Sequence, residues 1–192
     1  MPSTTTVAGA IACVITVCNA VTIRFWNRDG CTGKNVGCEN WRYGDCCTGG
    51  SPWCLSANCE GCLVGNDIYS FNTAGCSRAP FGVCRAARGN GCCLGTGGGN
   101  NCAMSVYVGN SRKRDSNQGA CEFLVRPNHM EYTDHNGTAH SIYIPTGIFD
   151  IASQHAANED WDALNRYPAW ANQSYTDADR IPNPDYVPSP KL

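Results

Sequence analysis

The stretch Val21-Thr22-Ile23-Arg24-Phe25-Trp26-Asn27-Arg28-Asp29-Gly30-Cys31 returns as Asn66-Asp67-Ile68-Tyr69-Ser70-Phe71-Asn72-Thr73-Ala74-Gly75-Cys76. Ile23, Trp26, Asn27, Gly30 and Cys31 match Ile68, Phe71, Asn72, Gly75 and Cys76 at a constant offset of 45 residues. The cysteines downstream keep step: Cys31, Cys38, Cys46, Cys47 and Cys54 run C-x6-C-x7-C-C-x6-C, and Cys76, Cys84, Cys92, Cys93 and Cys102 run C-x7-C-x7-C-C-x8-C. Both copies close alike, on Val64-Gly65-Asn66 and Val108-Gly109-Asn110. Shared flanking residues at one offset mark a duplication, with repeats at 21–66 and 67–110. Each repeat is about one supersecondary motif and cannot bury a face alone, so the two are expected to pack together. Val21, Ile23 and Phe25 alternate with Thr22, Arg24 and Trp26, the period of a half-buried strand. Helical periodicity is missing from residues 21–110, which predicts an all-β, loop-rich body.

Cysteine usage sets the redox setting. Of the 15 cysteines in the chain, twelve fall between Cys31 and Cys102: the ten above together with Cys59 and Cys62. In an exported chain that density means disulfides, each contributing about 2–4 kcal/mol by restricting the unfolded chain. Five cysteines per repeat is an odd number, so at least one in each copy pairs across to the other copy or to Cys59, Cys62 or Cys121, or stays reduced. The twelve can close as six bridges, leaving Cys121 for a partner chain and a disulfide-linked dimer; spacing does not fix the connectivity. Cys59-Glu60-Gly61-Cys62 has zinc-ligand spacing, but a structural zinc site wants a second pair, and disulfides are expected instead.

Residues 1–20 contain no charged side chain, and their apolar run Val7 to Val17 ends in Cys18-Asn19-Ala20, which reads as a secretory signal peptide. That run is shorter than the roughly 20 residues of a membrane span. The net charge of −2 hides an asymmetry. Residues 21–110 carry seven basic and five acidic side chains, 111–114 add three basic ones, and 115–192 carry four basic against eleven acidic. So weakly basic a body offers no concentrated cationic face for nucleic acid. Ser111-Arg112-Lys113-Arg114-Asp115 reads equally as a solvated linker or as a processing site cut after Lys113-Arg114. Beyond it a small α+β acidic tail is expected over 115–176. Its hairpin turns at Asn136-Gly137, one helix follows over Ile148 to Ala157, and a second is capped by Asn158. Residues 177–192 form a proline-rich, disordered end. Asn136 and Asn172 head acceptor sequons for glycosylation.

No nucleophile elbow or His-Glu-x-x-His run is present, so no catalytic residue is assigned and the chain leans away from enzymes. His129, His135 and His140, with Glu131 and Asp134, are expected to be exposed polar residues of the hairpin rather than a metal site. Trp41, Tyr43 and Trp53 are the candidate ligand contacts, because aromatic faces held in cysteine-pinned loops cover sugar rings or anchor protein partners. The second repeat has Ala87 and Gly89 where the first has Trp41 and Tyr43.

Signal peptide, paired cysteines, basic processing site and acidic tail together resemble the small secreted cysteine-rich, effector-like proteins of fungi, a resemblance of layout over the whole chain. More narrowly, Val21 to Trp26 followed by Cys31-Thr32-Gly33, in two units of about 45 residues, resembles the βγ-crystallin fold, which includes microbial killer toxins. That resemblance implies a duplicated Greek-key body. Asn66-Asp67-Ile68-Tyr69-Ser70-Phe71 looks like that family's calcium pattern, with Asn66, Asp67 and Ser70 as the oxygen ligands it implies, but Phe71 breaks its last position; no cofactor is otherwise expected. The cysteine spacing is also reminiscent of hevein-type chitin-binding modules and knottins. The expected function is a secreted, non-enzymatic, effector-like or toxin-like interaction protein with an extracellular protein or glycan target. The alternatives are a binding module for chitin or another wall glycan, and a small secreted hydrolase.

Overall fold

The computed structural model describes residues 21–77, 79–87, 92–98, 101–107, 121, 123–170 and 180–182. The first repeat forms β1 (Val21–Arg28), β2 (Thr32–Trp41), β3 (Cys46–Gly50) and β4 (Ser56–Glu60). The second forms β5 (Asp67–Phe71), β6 (Gly82–Arg85), β7 (Leu94–Gly95) and β8 (Asn101–Tyr107). The tail adds β9 (Phe123–Val125), β10 (His129–Thr133), β11 (Ala139–Tyr143), α1 (Phe149–Ala157), α2 (Trp161–Leu164) and β12 (Ile181–Pro182).

The strands make two six-stranded sheets, ordered β11-β10-β2-β1-β4-β7 (sheet A) and β12-β9-β3-β8-β5-β6 (sheet B). Each repeat keeps its first, second and fourth strands in one sheet and sends its third to the other: β3 joins β8, and β7 joins β4. Neither repeat can therefore complete its sheet without its sister. β1 follows the expected alternation, with Val21, Ile23 and Phe25 at most 1% exposed and Thr22, Arg24 and Trp26 on the opposite face. The shared Gly-Cys step turns the chain in both copies with positive φ, at 70° and 55° for Gly30 and Cys31 and 82° and 52° for Gly75 and Cys76. Left-handed backbone favours glycine at the first position, which accounts for its place in both repeats.

Six disulfides stitch this arrangement. Cys31–Cys93, Cys46–Cys76 and Cys54–Cys102 join one repeat to the other, whereas Cys38–Cys47, Cys84–Cys92 and Cys59–Cys62 close within a repeat. Neighbouring residues of a strand face opposite sides, so in β3 Cys46 reaches across to the other repeat while Cys47 bonds inside its own. Cys59 and Cys62 bond each other, which removes the zinc alternative at that pair.

The tail is built into the body. β10 pairs antiparallel with β2, and β9 lies parallel to β3, so tail strands extend both sheets. Met130, Tyr132, Ile142, Ile144, Phe149, Ala152 and Leu164 join Ile23, Phe25 and Trp53 in one buried cluster. The repeats leave the edges of β2 and β3 open, and covering an open edge satisfies its backbone groups. The Asn-Gly hairpin forms as expected, with Gly137 at φ 81°. In α1 the buried side chains are Phe149, Ala152, Ser153 and Ala156. Asn158 ends α1, and Asp160 caps α2 by accepting from the Ala163 amide at 3.2 Å. The expected signal peptide at 1–20, the expected linker or processing site at 111–114 and residues 183–192 lie outside the described residues, whereas Ile181–Pro182, expected to be disordered, pair with β9; no described helix is long and apolar enough to cross a membrane.

Candidate functional site

Antiparallel register decides which side chains share the outer face of sheet A. Arg24 stands opposite Gly37 on β2 and Asn58 on β4, Trp26 opposite Asn35 and Ser56, and Thr22 opposite Glu60. On the tail side His129 stands opposite Gly37 and Tyr143, and Glu131 opposite Asn35 and Ser141. A face expected to be solvated thus carries ionisable groups from four strands, and several are almost fully covered.

Arg24 lies at the centre. Its guanidinium reaches Glu60 at 2.7 Å, Glu39 at 3.1 Å and Glu131 at 3.5 Å, and it donates to Asn35 Oδ1 at 3.0 Å. Gly37 leaves room for this crossing: a Cβ there would meet the Ile23 carbonyl at 3.0 Å and Arg24 Cγ at 3.7 Å. The Arg24 and Glu39 side chains are only 12% and 10% exposed. Burial pushes the Glu39 carboxyl up, but His129, the Thr22 hydroxyl at 2.6 Å and the Arg24 charge outweigh it and hold Glu39 below the ordinary range. Arg24 is disfavoured by burial, yet Glu60, Glu39 and Glu131 together raise it above its ordinary value. His129, 2% exposed in its side chain, places Nδ1 2.9 Å from Glu39 Oε1 and Nε2 2.7 Å from Ser141 Oγ. The Trp170 ring covers it, centroid to centroid at 4.8 Å.

Beside this network a groove of about 610 Å³ opens between the β1–β2 turn and the β10–β11 hairpin. Trp26 supplies aromatic surface, Asn27, Asn35, Thr133 and Ser141 supply hydrogen-bonding groups, and Arg28, Lys34, Glu131 and His140 supply charge, while Tyr132, 3% exposed, backs the wall. Its walls are braced. Trp26 Nε1 donates to Asn58 Oδ1 at 2.8 Å, and the Tyr132 ring stacks between His140 and Trp161 at 4.9 and 5.2 Å. Lys34 Nζ lies 4.2 Å from the centroid of Trp161. Asp134 holds the hairpin tip, and its carboxyl is kept low by His140, 3.0 Å away, and by the Thr138 and Asn136 amides. Bracing of this kind fixes polar groups before a ligand arrives, which lowers the entropy lost on binding.

The residues singled out in the sequence fall elsewhere. Trp53 is 1% exposed and donates its Nε1 to Ser153 of α1 at 3.1 Å, so it is a core side chain and not a ligand contact. Tyr43 is half-buried with its hydroxyl on Asn66 Oδ1 at 3.0 Å. The Trp41 side chain lies outside the described residues, although its backbone ends β2. The suggested calcium ligands do not converge. Asn66 Oδ1 accepts from Tyr43 and from the Leu63 amide, Asp67 pairs with Arg85 at 2.8 Å, and Ser70, on the opposite face of β5, donates to the Gly95 carbonyl at 3.0 Å. Cys121 is 4% exposed, which leaves no surface thiol there for a partner chain; its Sγ, with those of Cys46 and Cys76, forms a group within 4.8 Å. Asn136 is exposed at the hairpin tip, whereas Lys113, Arg114 and Asn172 lie outside the described residues. His129 is covered rather than exposed, a difference made by Trp170.

Sequence reading did not single out Arg24, Glu39, Ser141 or the face they share, and it treated Trp26 as a strand residue. One signal was available, since Arg24 sits between Ile23 and Phe25 in β1, and a charge set among apolar neighbours needs carboxylate partners if it is covered. No protein-family model matches the chain, and no curated protein and no solved structure matches it.

Proposed function

We propose that this is a secreted, disulfide-stitched interaction protein whose recognition surface is the outer face of sheet A, and that the groove takes a wall glycan such as chitin. Six disulfides fit an oxidising, extracellular setting. The observation that carries the reading is the groove itself, which sets Trp26 beside amide, hydroxyl and carboxylate groups of β2, β10 and β11. Sugar rings present an apolar face to an aromatic side chain and hydroxyls to polar neighbours, and this lining offers both. The reciprocal exchange of third strands supports a duplicated Greek-key origin of the βγ-crystallin kind.

Retention of the purified protein on insoluble chitin and β-glucan tests the reading. Trp26→Ala should reduce retention by at least about 30-fold, the loss of roughly 2 kcal/mol expected when an aromatic anchor is truncated. Wild-type protein that passes through every polysaccharide, or retention unchanged by Trp26→Ala, would overturn it. A second reading, an effector-like or toxin-like protein with a protein target, is favoured by Phe81, just before β6, and Val83 within it, which are 56% and 54% exposed. Binding lost on Phe81→Ser but kept on Trp26→Ala would support it.

A further inference from the structure

The polar network beside the groove contains one arrangement that binding alone does not require. Ser141 is exposed, lines the groove and holds its Oγ 2.7 Å from His129 Nε2. Glu39 Oε1 lies 2.9 Å from the other ring nitrogen, and the Thr22 hydroxyl steadies the far carboxylate oxygen at 2.6 Å. These are a hydroxyl, an imidazole and a carboxylate in the order that activates a serine, brought together from β11, β10 and β2. We propose that Ser141 is a nucleophile activated by His129 and oriented through Glu39, and that the groove hydrolyses esters.

Proton placement on the imidazole decides the matter. Two groups compete for Nδ1: the acceptor Glu39 Oε1 and the donor Arg24 Nη1, the latter 3.0 Å away. Glu39 Oε1 is buried and lies off the axis of any aligned donor, so a lone pair on Nδ1 would face a carboxylate across 2.9 Å. A proton on Nδ1 turns that repulsion into attraction at the cost of the bond Nδ1 accepts from Arg24 Nη1, which is left with Asn35 Oδ1 as its acceptor. Nε2 then carries the lone pair and accepts from Ser141. The Nδ1 contact is imperfectly aligned, as catalytic contacts often are before substrate tightens them.

The step balances without a cofactor. Ser141 Oγ bonds the ester carbonyl carbon as its proton passes to Nε2, and the carbonyl electron pair moves to oxygen. The tetrahedral species collapses, its carbon–oxygen bond to the leaving alcohol breaks, and the alcohol takes the proton from Nε2. Water then repeats the sequence on the acyl-serine, releasing a carboxylic acid and restoring Ser141. Arg28 and Lys34 line the same groove and make it more positive, which favours a transition state that gains negative charge. Resting on the glycan reading, the substrate class is an acyl ester carried by a polysaccharide.

A fluorophosphonate probe, which a serine captures only when activated, tests the chemistry apart from glycan binding. Incubation with the intact oxidised protein should place one phosphonyl group on Ser141, located by peptide mass, and none on urea-unfolded protein. His129→Gln should slow labelling by about 100-fold or more, the usual contribution of a general base, with near-UV circular dichroism confirming its fold. Ser141→Ala, at an exposed position, should show no label and should lower p-nitrophenyl acetate hydrolysis to that of unfolded protein. A wild-type protein that escapes labelling at Ser141, or labelling equally fast in folded His129→Gln, overturns the inference. Label on Ser141 without retention on any polysaccharide overturns the glycan reading alone, and retention without label overturns the serine chemistry alone.

Discussion

Replacing Arg24 by methionine should unsettle the outer face of sheet A more than any exposed substitution. The change keeps most of the side-chain volume and removes one positive charge from among Glu39, Glu60 and Glu131, which approach it at 3.1, 2.7 and 3.5 Å. Glu60 and Glu131 are 44% and 43% exposed and can turn to water, but Glu39, at 10%, cannot. Removing one partner of a buried pair leaves an uncompensated charge and costs about 3–5 kcal/mol. In a chain of this size that corresponds to a fall in Tm of about 6–20 °C. The pH dependence carries the sign. Glu39 is held below its unfolded value of about 4.3, so its contribution is full above that pH and is lost as pH falls through the folded value. Without Arg24 the depression shrinks and protonation relieves the crowded carboxylates, so the gap between variant and wild type should narrow from pH 7 to pH 4. Thermal melts followed by near-UV circular dichroism at both pH values measure it. Adding Glu39→Gln to Arg24→Met should recover about 0.5–3 kcal/mol as coupling energy. A Tm within a degree of wild type, or a gap unchanged at pH 4, would mean that Arg24 does not hold a buried Glu39 charge in place.

Three further outcomes follow from the packing. Cys54–Cys102 spans 48 residues and Cys38–Cys47 spans 9; the loop-closure relation gives about 4 against about 2.6 kcal/mol, so paired alanine replacement of the first should lower the urea midpoint more. Trp53→Ala should cost about 3–5 kcal/mol by leaving a cavity, whereas Trp53→Phe should keep retention on polysaccharide, because Trp53 lies in the core and not in the groove. Proteolysis after Arg114 should leave the two pieces eluting together in native gel filtration, since β9 and β10 are built into sheets of the body. Separation of the pieces in native buffer would contradict that packing.

What could be read from the residues was whatever repeats locally. The alternation through β1 is such a short-range feature and appears in the fold as expected, and the matched Gly30-Cys31 and Gly75-Cys76 steps share positive φ. Closure of the twelve cysteines as six bridges was legible as arithmetic, but the division of Cys46 and Cys47 between two partners depends on strand facing and could not be counted. Where the tail's strands would pair was not legible, because β-pairing ignores the change of charge composition at 111–114: Met130 pairs with Val36 across nearly a hundred residues. The candidate site failed for the same reason. Glu39, His129 and Ser141 lie on three strands, and no spacing along the chain announces that pairing brings them within hydrogen-bond distance. Trp53 misled because its cysteine-rich loop looked exposed, and only α1, contributing Ser153, shows it buried.

Whether the outer face of sheet A is the working surface is decided by titrating isotope-labelled protein with a soluble chito-oligosaccharide and following amide chemical shifts. Shifts should concentrate on Trp26, Asn35, Glu131, Thr133 and Ser141 and leave β5 and β6 of sheet B unmoved. Shifts confined to sheet B, or none at millimolar sugar, would contradict it.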